Sequence, residues 1–312
     1  MRAAGGSTAH RQSSAPVVDE HRRWIPAEPL RRYVAAYTGY RQRGVPPARH
    51  RGLPSPYLTL IFTLDEPLVI EAHPDPGQPP GEFGTLLGGL HSVPALIRHA
   101  GAQSGIQVAL RPLGARALLG LPAGELAELD VPAEAVLGGV CAELRDRVRA
   151  AAGWPQRFAV LDEILLRQVG ALTDVSPEVS WAWQQLLRQG GALPVSELAA
   201  GTGWSGRHLT SRFRAEIGLT PKAAARVIRF DRARKLLVRN LASITADAGY
   251  RLAHHRLAPY RLADLAADCG YFDQAHLARE FRALAGCPPS QWLAEEFRNV
   301  QAGNWVIEEG WE

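Results

Sequence analysis

RLADLAADCGYFDQAHLAREFRALAGCPP, residues 261–289, divides into two short helices and a turn. Leu262, Leu265 and Ala266 recur at i, i+3, i+4, the spacing that lines up side chains on one face of a helix. Cys269 and Gly270 break the pattern, and glycine tolerates the positive φ of a tight interhelical turn. Asp273 stands where a carboxylate can accept from the free N–H groups of the next helix. In that helix Leu277, Phe281 and Leu284 form an inward stripe at i, i+4, i+7. Gln274, Ala275, Ala278, Arg279 and Arg282 therefore point elsewhere, and Gly286 with Pro288 and Pro289 ends the segment.

The same design stands earlier in the chain, at residues 194–221. Leu198, Ala199, Ala200 and Gly203 match Leu265, Ala266, Ala267 and Gly270 at an offset of 67, whereas Leu209, Phe213, Gly218 and Pro221 match Leu277, Phe281, Gly286 and Pro289 at 68. The second turn is therefore one residue longer. Between the units, residues 222–238 are rich in helix formers with Val227, Phe230, Arg234 and Leu237 at helical spacing, which predicts a connecting helix. Two helix-turn-helix modules on one rod are the expected layout.

Three stretches, GWSGRHLTSRFRAEIGLTPK (203–222), RARKLL (232–237) and LADLAADCGYFDQAHLAREFRALAGCPPSQW (262–292), resemble the AraC/XylS transcription regulators over about a third of the chain. That resemblance implies a C-terminal domain whose two recognition helices enter successive major grooves of double-stranded promoter DNA. In the first helix Leu209, Phe213 and Ile217 face inward, which leaves Arg207, Thr210, Ser211 and Arg214 for the reading face. Arg207 suits guanine O6 and N7, Thr210 suits a thymine methyl, and the cap Ser205 sits where a helix N-terminus meets phosphate. The family pattern has an arginine two residues after the leucine; Ser211 occupies that place in the first unit, whereas Arg279 keeps it in the second. The candidate DNA-binding set is Ser205, Arg207, Thr210, Ser211, Arg214, Gln274, Ala275, Arg279 and Arg282. A further departure is that LASITADAGY (241–250) repeats LADLAADCGY (262–271), a partial duplication that lengthens the connection.

Charge agrees with this division. Residues 192–296 hold 15 Lys and Arg against 10 Asp and Glu, whereas residues 1–191 hold 19 against 18, so the excess sits on the paired modules. Three cysteines, Cys141, Cys269 and Cys287, lie far apart without a CxxC pair, which argues against a disulfide framework or a zinc site and fits a reducing cytoplasm. No run approaches the roughly 20 apolar residues of a spanning helix, and the first residues lack a signal-peptide core.

The chain's first half reads differently. Residues 29–37 are expected to form a short helix, and 57–64, 68–72, 85–89, 95–99 and 105–111 to form strands between Gly/Pro-rich turns, giving a small barrel or sandwich. Helical segments follow at 113–121, 133–151 and 156–172. Their stripes, Val136, Val140 and Leu144, then Leu161, Leu165 and Val169, either close the β core or form the dimerisation surface that the family resemblance implies. His50, His73, His91 and His99 show no metal-binding spacing, and no nucleotide loop or nucleophile elbow is present, so neither an enzyme nor a cofactor site is expected. Trp24, Tyr57, Phe62 and Phe83 are candidates to line a ligand pocket, set against a plain core role.

The expected fold is α+β: an N-terminal small β-barrel or sandwich with a helical arm, then an all-α domain with two helix-turn-helix modules joined by a linking helix. The boundaries are a flexible extension at 1–20, a regulatory or dimerisation domain at 21–172, a linker at 173–180, a DNA-binding domain at 181–298 and a tail at 299–312. The expectation is a cytoplasmic, sequence-specific DNA-binding regulator whose N-terminal domain senses a small-molecule effector or mediates homodimerisation, with RNA polymerase as a candidate partner. The alternative is a constitutive architectural DNA-binding protein without a ligand.

Overall fold

The computed structural model describes residues 17–170, 175–247 and 261–300. The extension up to residue 16, the tail from 301 and residues 248–260, which hold the end of the duplicated segment, lie outside the described residues.

The first half is built on two antiparallel sheets, with an apolar central strand that supplies side chains to both of its faces. Strand β4 (Leu58–Thr63) is a near-continuous apolar run buried on both faces. Leu58, Leu60 and Phe62 join Tyr37, Ile106 and Val108 under a helical layer. Ile61, on the opposite face, meets Leu68, Ile70, Leu86 and Ile97. A six-stranded sheet runs β1 (Val18–Trp24), β2 (Val34–Arg43), β9 (Ala102–Leu110), β4, β7 (Thr85–Gly88), β10 (Asp130–Val131). A four-stranded sheet of β3 (Ala48–Gly52), β8 (Ala95–His99), β5 (Leu68–Ala72) and β6 (Gly81–Phe83) faces it. Between barrel and sandwich, the arrangement is a sandwich.

Two sequence-based expectations are corrected here. Residues 29–37 do not form a helix: only a 3-10 turn, Glu28–Leu30, precedes β2. Leu30, Tyr33, Val34 and Tyr37 fall at helical spacing, but β2 is flanked by β1 and β9, whose ladders supply the backbone partners that a helix would have supplied locally. The extension also ends early, since β1 starts at Val18 and pairs with β2 from Arg43 back to Tyr37.

Helices α1 (Ala115–Leu119), α2 (Glu134–Leu137), α3 (Gly139–Ala150) and α4 (Trp154–Gln168) form the arm. Leu144, Leu161 and Leu165 are buried in the core beneath the six-stranded sheet, and Val136, Val140 and Val169 pack against it. Both stripes thus pack on the β domain, with Val136, Val140 and Val169 left half-buried. Helix α5 (Pro177–Arg188) begins within the expected linker, because Pro177 fits the first helical position, where no N–H is needed.

The second half contains α6 (Val195–Thr202), α7 (Gly206–Ile217), α8 (Pro221–Asp247), α9 (Leu262–Asp268), α10 (Gln274–Ala285) and α11 (Pro289–Val300). Phe213, Phe230 and Phe281 are fully buried; Phe230 of α8 meets Phe281 of α10 at 4.9 Å, and Trp183 of α5 meets Phe213 of α7 at 6.1 Å. The long α8 carries both modules on its sides and continues through the first seven residues of the duplicated segment. Cys141, Cys269 and Cys287 are buried and unbridged. Among the described residues, no helix is long and apolar enough to cross a membrane.

Candidate nucleic-acid interface

Each second helix of a module starts on a side-chain cap. Ser205 Oγ accepts from the His208 N–H at 3.2 Å, and Asp273 Oδ1 accepts from the His276 N–H at 2.6 Å. Each ends at a left-handed glycine, Gly218 with φ 98° and Gly286 with φ 73°, a conformation that a Cβ would strain. With Leu209, Phe213 and Ile217 turned inward in α7, and Leu277, Phe281 and Leu284 in α10, the polar residues are left outside.

Ser205, Arg207, Ser211 and Arg214 are exposed, and Thr210 is half-buried. Arg207, Thr210, Ser211 and Arg214 line one shallow depression of about 770 Å³. The Thr210 hydroxyl donates to the Gly206 carbonyl at 2.7 Å, so its hydrogen bond is made within the helix. On α10, Gln274, Ala275, Arg279 and Arg282 are all exposed. Glu280 lies beside them but is held from behind, accepting from Arg226 Nε of α8 at 2.8 and 3.0 Å. Two arrays of donors therefore stand on capped helices whose opposite faces are locked into one core.

The β domain touches the C-terminal end of each array. The 3-10 turn Ala123–Leu126 lies so close to α7 that a Cβ on Gly124 would stand 2.1 Å from the Ala215 carbonyl oxygen. Arg116 of α1 makes a bidentate pair with Glu216, both contacts at 2.8 Å, and this raises the arginine's affinity for its proton. Leu90, after β7, is fully buried in the helical core, and Pro94 lies 3.6 Å from where a Cβ on Gly286 would be. Arg51 of β3 pairs with Glu295 of α11. None of these contacts is visible in hydrophobic periodicity, because each partner's position is set by the other domain's fold.

The four aromatic ligand candidates are dispersed. Phe62 is core, and Trp24 stacks on Phe158 at 5.5 Å. Phe83 meets His73 edge-on at 5.7 Å, and Tyr57 lies under Lys235 of α8 at 5.8 Å. A separate cavity of about 310 Å³ between the sheets is lined by Tyr40, Thr63, Leu68, Arg98, His99 and Ser104, among others, and by none of those four. Ser104 is buried and its hydroxyl has no hydrogen-bond partner among the described residues, and burial raises the proton affinity of the Tyr40 phenol. Tyr40 lies in the part of β2 beyond the expected helix at 29–37, a stretch to which the sequence argument assigned no strand. His73 is instead bonded through Nδ1 to Asp130 at 2.8 Å, His91 to the Val93 carbonyl, and the His50 and His99 rings lie 6.1 Å apart. No group of three metal-ligating side chains gathers among the described residues.

Residues 22–132, the strands from within β1 to the end of β10, match the model of a domain of unknown function, DUF6597. No curated protein matches the chain. Among solved structures, ToxT from Vibrio cholerae is 10% identical and aligns over 83% of this chain and 97% of its own, with a TM-score of 0.47. The C-terminal domain of AraT, a response regulator from Geobacillus stearothermophilus, is 18% identical over 44% of this chain and 97% of its own, at 0.32. The AraC-like transcriptional activator CuxR is 13% identical over 65% of this chain and 76% of its own, at 0.30.

Proposed function

We propose that the chain is a sequence-specific DNA-binding transcription regulator whose β domain controls how its two reading helices meet promoter DNA. One observation carries the reading: two capped helices of equal length, each with its apolar stripe locked into one core and its arginines exposed, share a single rod. Helices of this kind place their N-terminal halves against base edges in the major groove, and arginine there reads guanine.

The β domain supports the regulatory half. Its contacts at Glu216, Ala215 and Gly286 bear on the reading helices themselves, so a change in the sandwich reaches the DNA face without crossing a linker. The cavity beside Ser104 and Tyr40 offers a small polar effector both hydrogen-bonding groups and apolar walls. This favours an effector-answering regulator over a constitutive architectural protein. Contact with RNA polymerase and a homodimer belong to the same reading, the buried members of the arm's two stripes, Leu144, Leu161 and Leu165, being taken up by the β domain. No catalytic step is assigned to the chain.

The test is binding of the purified chain to the DNA upstream of its own gene, against scrambled duplex, over a range of salt, with and without small molecules extracted from cells. Preference for the upstream DNA and a steep fall with salt are expected, because each neutralised phosphate releases counterions. Equal affinity for both duplexes would overturn the reading; preference that no extract alters would leave the constitutive alternative standing.

A further inference from the structure

The two turns differ by one residue, and the structure identifies the extra one. Trp204 alone separates Gly203 from the cap Ser205, whereas Tyr271 and Phe272 separate Gly270 from the cap Asp273. Tyr271 takes the packing role: it is 5% exposed and edge-on to His276 at 5.3 Å, as Trp204 is edge-on to His208 at 4.6 Å. Phe272 is surplus to the core, and 93% of it is exposed. Its backbone is nonetheless fixed. The Phe272 N–H donates to His276 Nδ1 at 3.3 Å, and the next residue caps α10. The ring is therefore presented on an ordered support one residue ahead of the helix end that enters a groove. Among the described residues after 170 it is the one exposed large hydrophobic side chain, and its chain neighbours Asp273, Gln274 and Ala275 are exposed and carry no large apolar group, so it forms no contiguous apolar patch with them of the kind that a protein partner would bury.

We propose that Phe272 is a specificity-determining contact that seats its ring against the 5-methyl group of a thymine at the edge of the second module's site. In the major groove that methyl is the one apolar feature a base edge presents, and aromatic side chains are among its partners. The inference rests on the DNA-binding reading and adds a base preference to it.

The experiment uses the full chain and a duplex site that it selects from a random pool, with each thymine replaced in turn by uracil, which removes only the methyl. F272A is expected to bind about tenfold more weakly, with its salt dependence unchanged because no phosphate contact is lost. One uracil position should weaken the wild-type chain roughly fourfold, the equivalent of one buried methyl. The same position should leave F272A unaffected, and Phe272→Leu, which keeps an apolar side chain, should retain part of the discrimination. Uracil effects of equal size in both proteins at every position, or unchanged binding by F272A, would overturn the contact. Intact DNA binding with lost transcriptional output would assign Phe272 to a protein partner and overturn it equally. A wild-type chain that selects no sequence would sink the DNA-binding reading itself, an outcome distinct from selection without uracil coupling.

Discussion

Helices α7 and α10 are each 12 residues long, begin on a side chain that accepts from a histidine N–H and end at a left-handed glycine, yet their acidic residues reach in opposite directions. Glu216 of α7 is gripped by Arg116 of the β domain, whereas Glu280 of α10 is gripped by Arg226 of the linking helix. The first reader is thus positioned by the domain that would carry the signal, and the second by the rod it is mounted on. Pro94 and Arg51 bring the β domain to the second module as well, but at its C-terminal glycine and at α11, not through a carboxylate of the reader itself. Under the proposed function, similar local chemistry would leave the first reader tied to the β domain through its own carboxylate and the second tied through its carboxylate to the rod.

The largest test of that equivalence lies in the core. Phe213→Ala and Phe281→Ala each empty a fully buried site and should cost about 3–5 kcal/mol in denaturant unfolding. If the modules share one cooperative core, both variants should lower a single transition; separate transitions would show that they melt independently. Next come the anchors. Glu216→Ala removes a nearly buried partner of Arg116, and Glu280→Ala the corresponding partner of Arg226, each expected to cost about 2 kcal/mol. Only the first should loosen the seam between domains, read as faster proteolysis between residues 168 and 177; equal loosening by both would erase the distinction. Arg207→Ala and Arg279→Ala should each weaken binding to the upstream DNA by about tenfold, and a fall of about one in the salt slope would mark whichever arginine meets phosphate rather than a base. The smallest effects belong to the caps: Ser205→Ala and Asp273→Ala should each lower stability by about 1 kcal/mol, measured by thermal unfolding.

The modules were legible because everything that makes them is local: an apolar period of 3.6, a capping side chain, a glycine at each stop. Strand β4 was legible too, since a run of β-branched and aromatic residues between turns needs no partner to be read. Strand β2 was not, because the residues that make it a strand are in β1 and β9, and its own apolar spacing fits a helix equally well. For the candidate site, the exposed arginines followed from subtracting the buried stripe. Glu216 did not, because its partner Arg116 lies 100 residues away and only the docked domain brings it close. The cavity was missed because its lining, Tyr40, Ser104 and Arg98 among others, is brought together from β2, β9 and β8 by the sheet pairing, which no local pattern shows.

Where Gly124 meets the Ala215 carbonyl, only a hydrogen atom fits. A single methyl at that position would act as a wedge, prising the β domain off the first reader while leaving the caps, the core and the exposed arginines untouched. A genetic selection for alleles that have stopped responding to any signal should therefore return codon 124 early, and from that one site would come a permanently uncoupled form of the protein.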